Sequence, residues 1–191
     1  MAGGGLAGAE KKSRRDHRRL IFLDESGFYL LPGVVKTYSP RGETPVLRPR
    51  QTRDHLSVLG GITPEGQLFT RVQTEAIHGG DCVAFLKRLR WQLGPKLLVI
   101  WDGSPIHRCD ELAWYLWETA PGMIQVEPLP GYAPDLNPQE GAWEQLKNVE
   151  LRNCCCANVG ALAGELHRAF ARLRRRASLI QSFFAGAGLD L

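Results

Sequence analysis

No run in this chain approaches the roughly 20 apolar residues needed to cross a bilayer, so no membrane span is expected. The N-terminal segment, residues 1–19, lacks an apolar core followed by a small-residue cleavage site. It does not read as a secretory signal, and the expected compartment is the cytoplasm. No CxxC pair occurs, which removes the usual zinc-binding spacings. Of the five cysteines, Cys82 and Cys109 stand alone and Cys154, Cys155 and Cys156 are adjacent. Adjacent thiols make a poor disulfide framework, so this trio is expected as small buried or half-buried residues near a helix end. Internal repeats are missing too. A net charge of +4, from 24 basic and 20 acidic residues, is too small to identify a polyanionic partner by itself.

What is present is enough apolar material, 43% of 191 residues, for one globular domain with a real core. Basic residues are clustered. Lys11, Lys12, Arg14, Arg15, Arg18 and Arg19 crowd one segment, and Arg172, Arg174, Arg175 and Arg176 another. Each cluster reads equally as a solvated face or as a set of phosphate contacts; two of them flanking an acidic site tilt the balance toward nucleic acid. Residues 1–18 read as a flexible, Gly/Ala-rich and then basic linker. The apolar run Leu20 to Asp24 predicts a buried central strand. Residues 28–50, rich in Pro and Gly, predict an irregular hairpin or extended loop. Two strands around Pro64-Glu65-Gly66 predict a hairpin. Gly79–Leu93 predicts a helix with Asp81 as N-cap. Lys96 to Asp102 predicts a second central strand, followed by a helix over 109–119, a strand over 123–129, helices over 137–153 and 159–176, and a last short helix. This order is α/β, with a mixed sheet in which the first and fourth strands are parallel neighbours.

Asp24 and Asp102 each end a buried apolar strand. A carboxylate there needs a crevice and a partner, and carboxyl ends of adjacent parallel strands open such a crevice. Two carboxylates brought close repel, and a divalent cation supplies the compensating charge. With oxygen ligands and no Cys/His set, Mg²⁺ or Mn²⁺ is favoured over zinc. The third candidate is Glu140. Asn137 is a suitable N-cap and Pro138 a suitable first helical residue, so Glu140 reads equally as the capping-box acid of its own helix or as a ligand. Trp143 and Lys147 share its helix face, Trp143 as core packing and Lys147 toward phosphate or solvent. Glu25 should point to the sheet face opposite Asp24, in an accessory or structural role. His107 reads equally as a group that orients DNA or a carboxylate and as a satisfied structural histidine. His55 and His78 carry no assignment.

Three segments resemble the mariner-like DDE transposases, especially their bacterial insertion-sequence branch. They are Asp24-Glu25-Ser26-Gly27; Trp101-Asp102-Gly103-Ser104-Pro105-Ile106-His107; and Leu129-Pro130-Gly131-Tyr132-Ala133-Pro134-Asp135-Leu136-Asn137-Pro138-Gln139-Glu140, followed by Trp143, Leu146 and Lys147. Residues 103–139, 37 in number, separate the second and third acids, close to that family's spacing. Leu151-Arg152-Asn153 and residues 183–189 also resemble that branch, so the likeness runs from about residue 19 to the end. It implies a ribonuclease-H-like fold, a five-stranded mixed sheet flanked by helices over 19–191. It implies an acidic triad of Asp24, Asp102 and Glu140 that holds two Mg²⁺ or Mn²⁺ ions, with Glu25, His107, Asn137, Trp143 and Lys147 as accessory or DNA-binding residues. The implied activity is DNA cleavage at element ends and strand transfer into target DNA at a TA step, by a homodimer or larger synaptic complex. Such proteins carry helix-turn-helix domains ahead of the catalytic domain. None is expected here, which points to an upstream polypeptide or a truncated copy. The rival readings are a related metal nuclease that cuts without joining, and an inactive remnant that only binds DNA.

Overall fold

The computed structural model describes residues 4–31, 41–42, 46, 52–130 and 134–189. Five strands form one sheet: β1 (Arg19–Tyr29), β2 (His55–Ile62), β3 (Leu68–Gln73), β4 (Leu97–Trp101) and β5 (Ile124–Pro128). Their spatial order is β3-β2-β1-β4-β5. β1 and β2, and β2 and β3, pair antiparallel; β1 and β4, and β4 and β5, pair parallel. This is the mixed sheet expected, with the first and fourth strands adjacent. The Pro/Gly-rich reading over 28–50 falls largely outside the described residues, as do Gly131, Tyr132 and Ala133 of the turn motif.

The pleat sorts the two central strands onto two cores. Leu20, Phe22 and Phe28 of β1, with Leu98 and Ile100 of β4, pack under α4 (Pro138–Glu144), α5 (Val159–Arg174) and α6 (Ala177–Gly186). Ile21 and Leu23, with Leu97, Val99 and Trp101, pack under α2 (Gly79–Leu93) and α3 (Asp110–Trp114). Strands buried on both faces read as continuous apolar runs, which is why β1 and β4 were legible.

Several helix ends differ from the sequence reading. α2 is capped by His78, and Asp81 closes the turn from its third position by accepting the His78 N–H at 3.0 Å, because Arg71 and Gln73 also draw its carboxylate back toward β3. α3 continues as a π-helical turn through Thr119, and α4 continues likewise through Glu150. The helix expected to reach Asn153 ends at Glu150, with Leu151 as its C-cap, and Asn153 beyond it takes a left-handed conformation, φ 54°. Residues read as a linker instead form α1 (Gly4–Arg15): Ala, Glu, Lys and Arg are strong helix formers, and Lys12, Arg14 and Arg15 complement the dipole of its last turn. Beyond the end of the α4 turn, Cys156 is buried in the core and Cys154 half-buried, as expected of that trio, whereas Cys155 is exposed. Among the described residues no helix is long and apolar enough to cross a membrane.

Several residues of the basic clusters are tied into the fold. The Arg18 guanidinium donates to the main-chain oxygens of Leu97, Gly122 and Met123, tying together the starts of β4 and β5. Asp24, expected to end its strand, lies in the middle of β1, which runs on to Tyr29 by pairing with β2; at about 3.3 Å per residue Arg18 stands some 16 Å or more from it, so this cluster does not flank the acids. Arg174 donates to the main-chain oxygen of Leu68 and to Thr70, and Arg172 and Arg176 pair with Glu150.

Among the glycines demanded by space, two bear on the site and its hairpin. Gly66 turns the β2–β3 hairpin at φ 85°, and a Cβ there would lie 2.6 Å from the Ala177 carbonyl oxygen. Gly60 is the cross-strand neighbour of Asp24, and a Cβ there would lie 2.4 Å from the Trp143 ring and 2.9 Å from the Gln139 amide nitrogen. Overpacking of this kind costs about 1–3 kcal/mol. Gly60→Ala is therefore expected to lower stability by about that amount in urea unfolding. An unchanged midpoint would show that α4 does not sit against β2 as described.

Candidate active site

The site is built where α4 crosses the face of β1. Asp24 lies on the Phe22 side of β1, yet its residue is only 9% exposed. Both oxygens accept hydrogen bonds: Oδ1 from the Glu25 main-chain N–H at 2.9 Å, Oδ2 from the Trp143 indole N–H at 3.0 Å. Trp143 reaches that position because Gly60 leaves room for its ring, and Phe28 packs edge-on against it at 5.9 Å between centroids. Burial, then the neighbouring Glu140 carboxylate, push the Asp24 carboxyl up to about 7, against the pull of the Trp143 N–H.

Glu140 sits exposed in the first turn of α4. Asn137 is the N-cap as expected, but its side chain accepts the Gln139 N–H at 3.1 Å, and Glu140 contributes only its main-chain N–H, donated to the Asn137 carbonyl. Of the two readings for Glu140, the capping box is the one the hydrogen bonding does not use. The carboxylate is left to face Asp24.

Asp102 stands one residue past the end of β4. The last rung of the parallel pairing joins Phe22 to Ile100, so Asp24 and Asp102 lie at the same level two residues further on. Asp102 Oδ1 accepts the Ser104 N–H at 2.9 Å and lies 2.8 Å from His107 Nδ1. The His107 side chain is 3% exposed. Its Nε2 lies 3.0 and 3.2 Å from the two Glu25 oxygens, and its ring stacks on Trp101 with centroids 3.8 Å apart. Burial works against charge on this imidazole, but the hydrogen bond and charge of Glu25, followed by those of Asp102, outweigh it and raise its pKa above the ordinary value. Glu25 lies on the opposite face from Asp24, as the alternation predicted.

The remaining accessory residues divide by burial. Asn137 and Trp143 are buried and serve α4 and Asp24. Lys147 is exposed, with its ammonium 5.5 Å from the Phe28 ring centre. Gln139 stands in the third motif with no role assigned to it from the sequence. It is fully buried against Gly60, and neither its amide oxygen nor its nitrogen has a hydrogen-bond partner among the described residues. Its position immediately before the third acid was the available signal.

Among the described residues, one set of three metal-ligating side chains has its ligating atoms within 4.8 Å of one another: Glu25, Cys82 and His107. The Glu25–His107 pairing accounts for that closeness. Burial, followed by the Glu25 charge, pushes the Cys82 thiol up to about 12, far from a thiolate ligand.

The setting is a mixed α/β sheet of ribonuclease-H-like architecture, with Asp24 on a central strand, Asp102 just past the end of its parallel neighbour and Glu140 on a helix packed against β1 and β2. The chain belongs to the DDE superfamily endonuclease family, whose model matches residues 19–159. Among solved structures, the Mos1 mariner paired-end complex with Mg superposes with TM-score 0.67 at 17% identity over 96% of this chain and 57% of that one. A pre-cleavage Mos1 transpososome gives 0.65 at 17% identity over 97% and 60%. The catalytic domain of Mos1 mariner transposase gives 0.59 at 14% identity over 97% and 90%. The chain thus spans under two thirds of the length of the first two, and identities this low establish the fold alone. No curated protein sequence matches.

The Asp24–Glu140 repulsion has a measurable sign. Asp24 binds its proton more tightly folded than unfolded, so its contribution to stability is complete below about pH 4 and is lost as pH rises through about 7. Glu140→Gln removes one cause of the raised pKa. In EDTA at pH 8 this variant is expected to melt a few degrees above wild type, with the difference vanishing near pH 4. A variant less stable than wild type at pH 8 would contradict the contact.

Proposed function

We propose that this chain is the catalytic domain of a mariner-like DNA transposase, with Asp24, Asp102 and Glu140 as its acidic triad. The observation that carries the reading is the buried Asp24 carboxyl, held by Trp143 and raised to about 7 beside Glu140, level with Asp102 on the adjacent parallel strand. Such a set is short of positive charge. Its donors are hard oxygens, and the Gln139 amide beside it is unpartnered. These residues fit divalent magnesium or manganese. The three carboxylates would hold two ions. When bound, the ions would supply the charge that activates a water or 3′-hydroxyl nucleophile and stabilises the leaving oxygen at phosphorus.

The protein's own residues set the geometry. Trp143 fixes Asp24, and Ser104 and His107 fix Asp102. α4 carries Glu140 across the sheet on the rigid base of Gly60 and Phe183, whose ring packs against Gly141. No side chain needs to attack phosphorus, so the mechanism requires no activated Ser or Tyr. Mos1 structures with paired transposon ends and with a strand-transfer product support cutting followed by joining. They also support assembly on two DNA ends. A TA target and DNA-end recognition by helix-turn-helix segments, on this or another polypeptide, complete the proposal. The cytoplasm, where the DNA of an insertion sequence lies, is its proposed location.

The test is nicking of plasmid DNA, and joining of pre-cut element ends, with Mn²⁺ or Mg²⁺. Both activities are expected to vanish in EDTA. Asp24→Asn, Asp102→Asn and Glu140→Gln are each expected to lower the rate by about 10³-fold or more, as loss of several kcal/mol of transition-state stabilisation requires. Nicking that survives Asp102→Asn would overturn the assignment. Nicking without joining would establish a nuclease instead.

A further inference from the structure

Asp102 poses a mechanical problem. It lies beyond the last residue of β4, where no sheet bond holds it, and its side chain is 49% exposed. A metal ligand has to be held in place by something. Here one oxygen, Oδ1, accepts the Ser104 N–H and lies at ion-pair distance, 2.8 Å, from His107 Nδ1. His107 is itself fixed on three sides. Nδ1 also faces the Asp102 main-chain oxygen at 3.1 Å, Nε2 faces both Glu25 oxygens, and the ring lies on Trp101. Glu25 is held in turn by the Trp101 indole N–H at 3.2 Å. A continuous chain of contacts therefore runs from one face of the sheet, under α2, around the end of β4 to the site on the other side.

Fold stability is a poor explanation for this chain of contacts. A buried ion pair adds little net stability over apolar residues of the same shape, and the surrounding core, Ile21, Leu23, Val99 and Leu112, is already apolar. We propose that Glu25 and His107 are a positioning pair. His107, oriented by Glu25 and Trp101, holds Oδ1 of Asp102 so that Oδ2 is the oxygen offered to a divalent cation. Neither residue touches the ion or the DNA. The inference rests on the triad reading above and deepens it.

The full chain is titrated with Mn²⁺, with free ion followed by electron paramagnetic resonance, and near-UV circular dichroism reports folding. His107→Phe keeps a ring on Trp101 and removes both donors. It is expected to weaken Mn²⁺ binding by about 10- to 100-fold, the usual effect of losing a residue that orients a ligand. His107→Asn places an amide N–H near the position of Nδ1 and is expected to recover most of that loss. Glu25→Gln is expected to fall between wild type and His107→Phe. In nicking assays kcat should drop with KM for DNA unmoved. Mn²⁺ affinity within twofold of wild type in His107→Phe would overturn the proposal, as would weakened DNA binding with metal affinity intact. Should His107→Phe fail to fold, Glu25→Gln and His107→Asn decide in the same terms. A wild-type chain that binds no Mn²⁺ would overturn the triad reading itself, and this one with it.

Discussion

The site depends on one unfavourable contact: a carboxylate buried on the face of a sheet with a second carboxylate set beside it. In water Asp24 and Glu140 would move apart. Here they cannot, because Asp24 belongs to the central strand and Glu140 to a helix wedged against that strand by Trp143. The room for the wedge comes from Gly60, directly across from Asp24. Fold energy that comes from apolar burial on both faces of β1 is thus used to hold charges together that would otherwise separate. The resulting strain appears as a proton held up to about pH 7 by a group that ordinarily releases it near 4.

The two faces of β1 divide the work. Toward α4 the strand presents Asp24; toward α2 it presents Glu25, one residue on and pointing the other way. The first face brings Asp24 and Glu140 together. The second holds the histidine that reaches around the end of β4 to Asp102. Adjacent acidic residues with opposite directions can therefore serve one site from two sides. This arrangement also explains why the cluster of Glu25, His107 and Cys82 resembles a metal centre in its distances while differing from the triad in its chemistry. Its acid and base are already satisfied by each other, and its thiol is far from ionised.

Much of this was legible before any coordinates. Continuous apolar runs ending in Asp24 and Asp102 predicted central strands, because strands covered on both faces have no polar alternation to blur them. Family membership followed from the long turn-and-helix segment that ends in Glu140. The opposite direction of Glu25 follows from the pleat alone. Other features depend on distance through space. Nothing in the spacing says that the Trp143 N–H finds Asp24, that Gly60 is the reason it can, or that His107 joins Glu25 to Asp102 across 82 residues of sequence. Local capping was readable only as a choice, and Asn137 settled it by taking Gln139. Charge along a sequence also does not reveal main-chain oxygens waiting for it: Arg18 and Arg174, one from each basic cluster, are both held by carbonyls of distant strands.

The central claim is that the acids share divalent cations whose charge replaces the missing compensation at Asp24. Calorimetric titration of Mn²⁺ in buffers of different ionisation enthalpy measures the protons released on binding. The account predicts release approaching one proton per chain near pH 6, where the Asp24 carboxyl is mostly protonated, and almost none near pH 9, with the pH dependence lost in Asp24→Asn. Binding that releases no proton at pH 6, or the same number at both pH values, would contradict it.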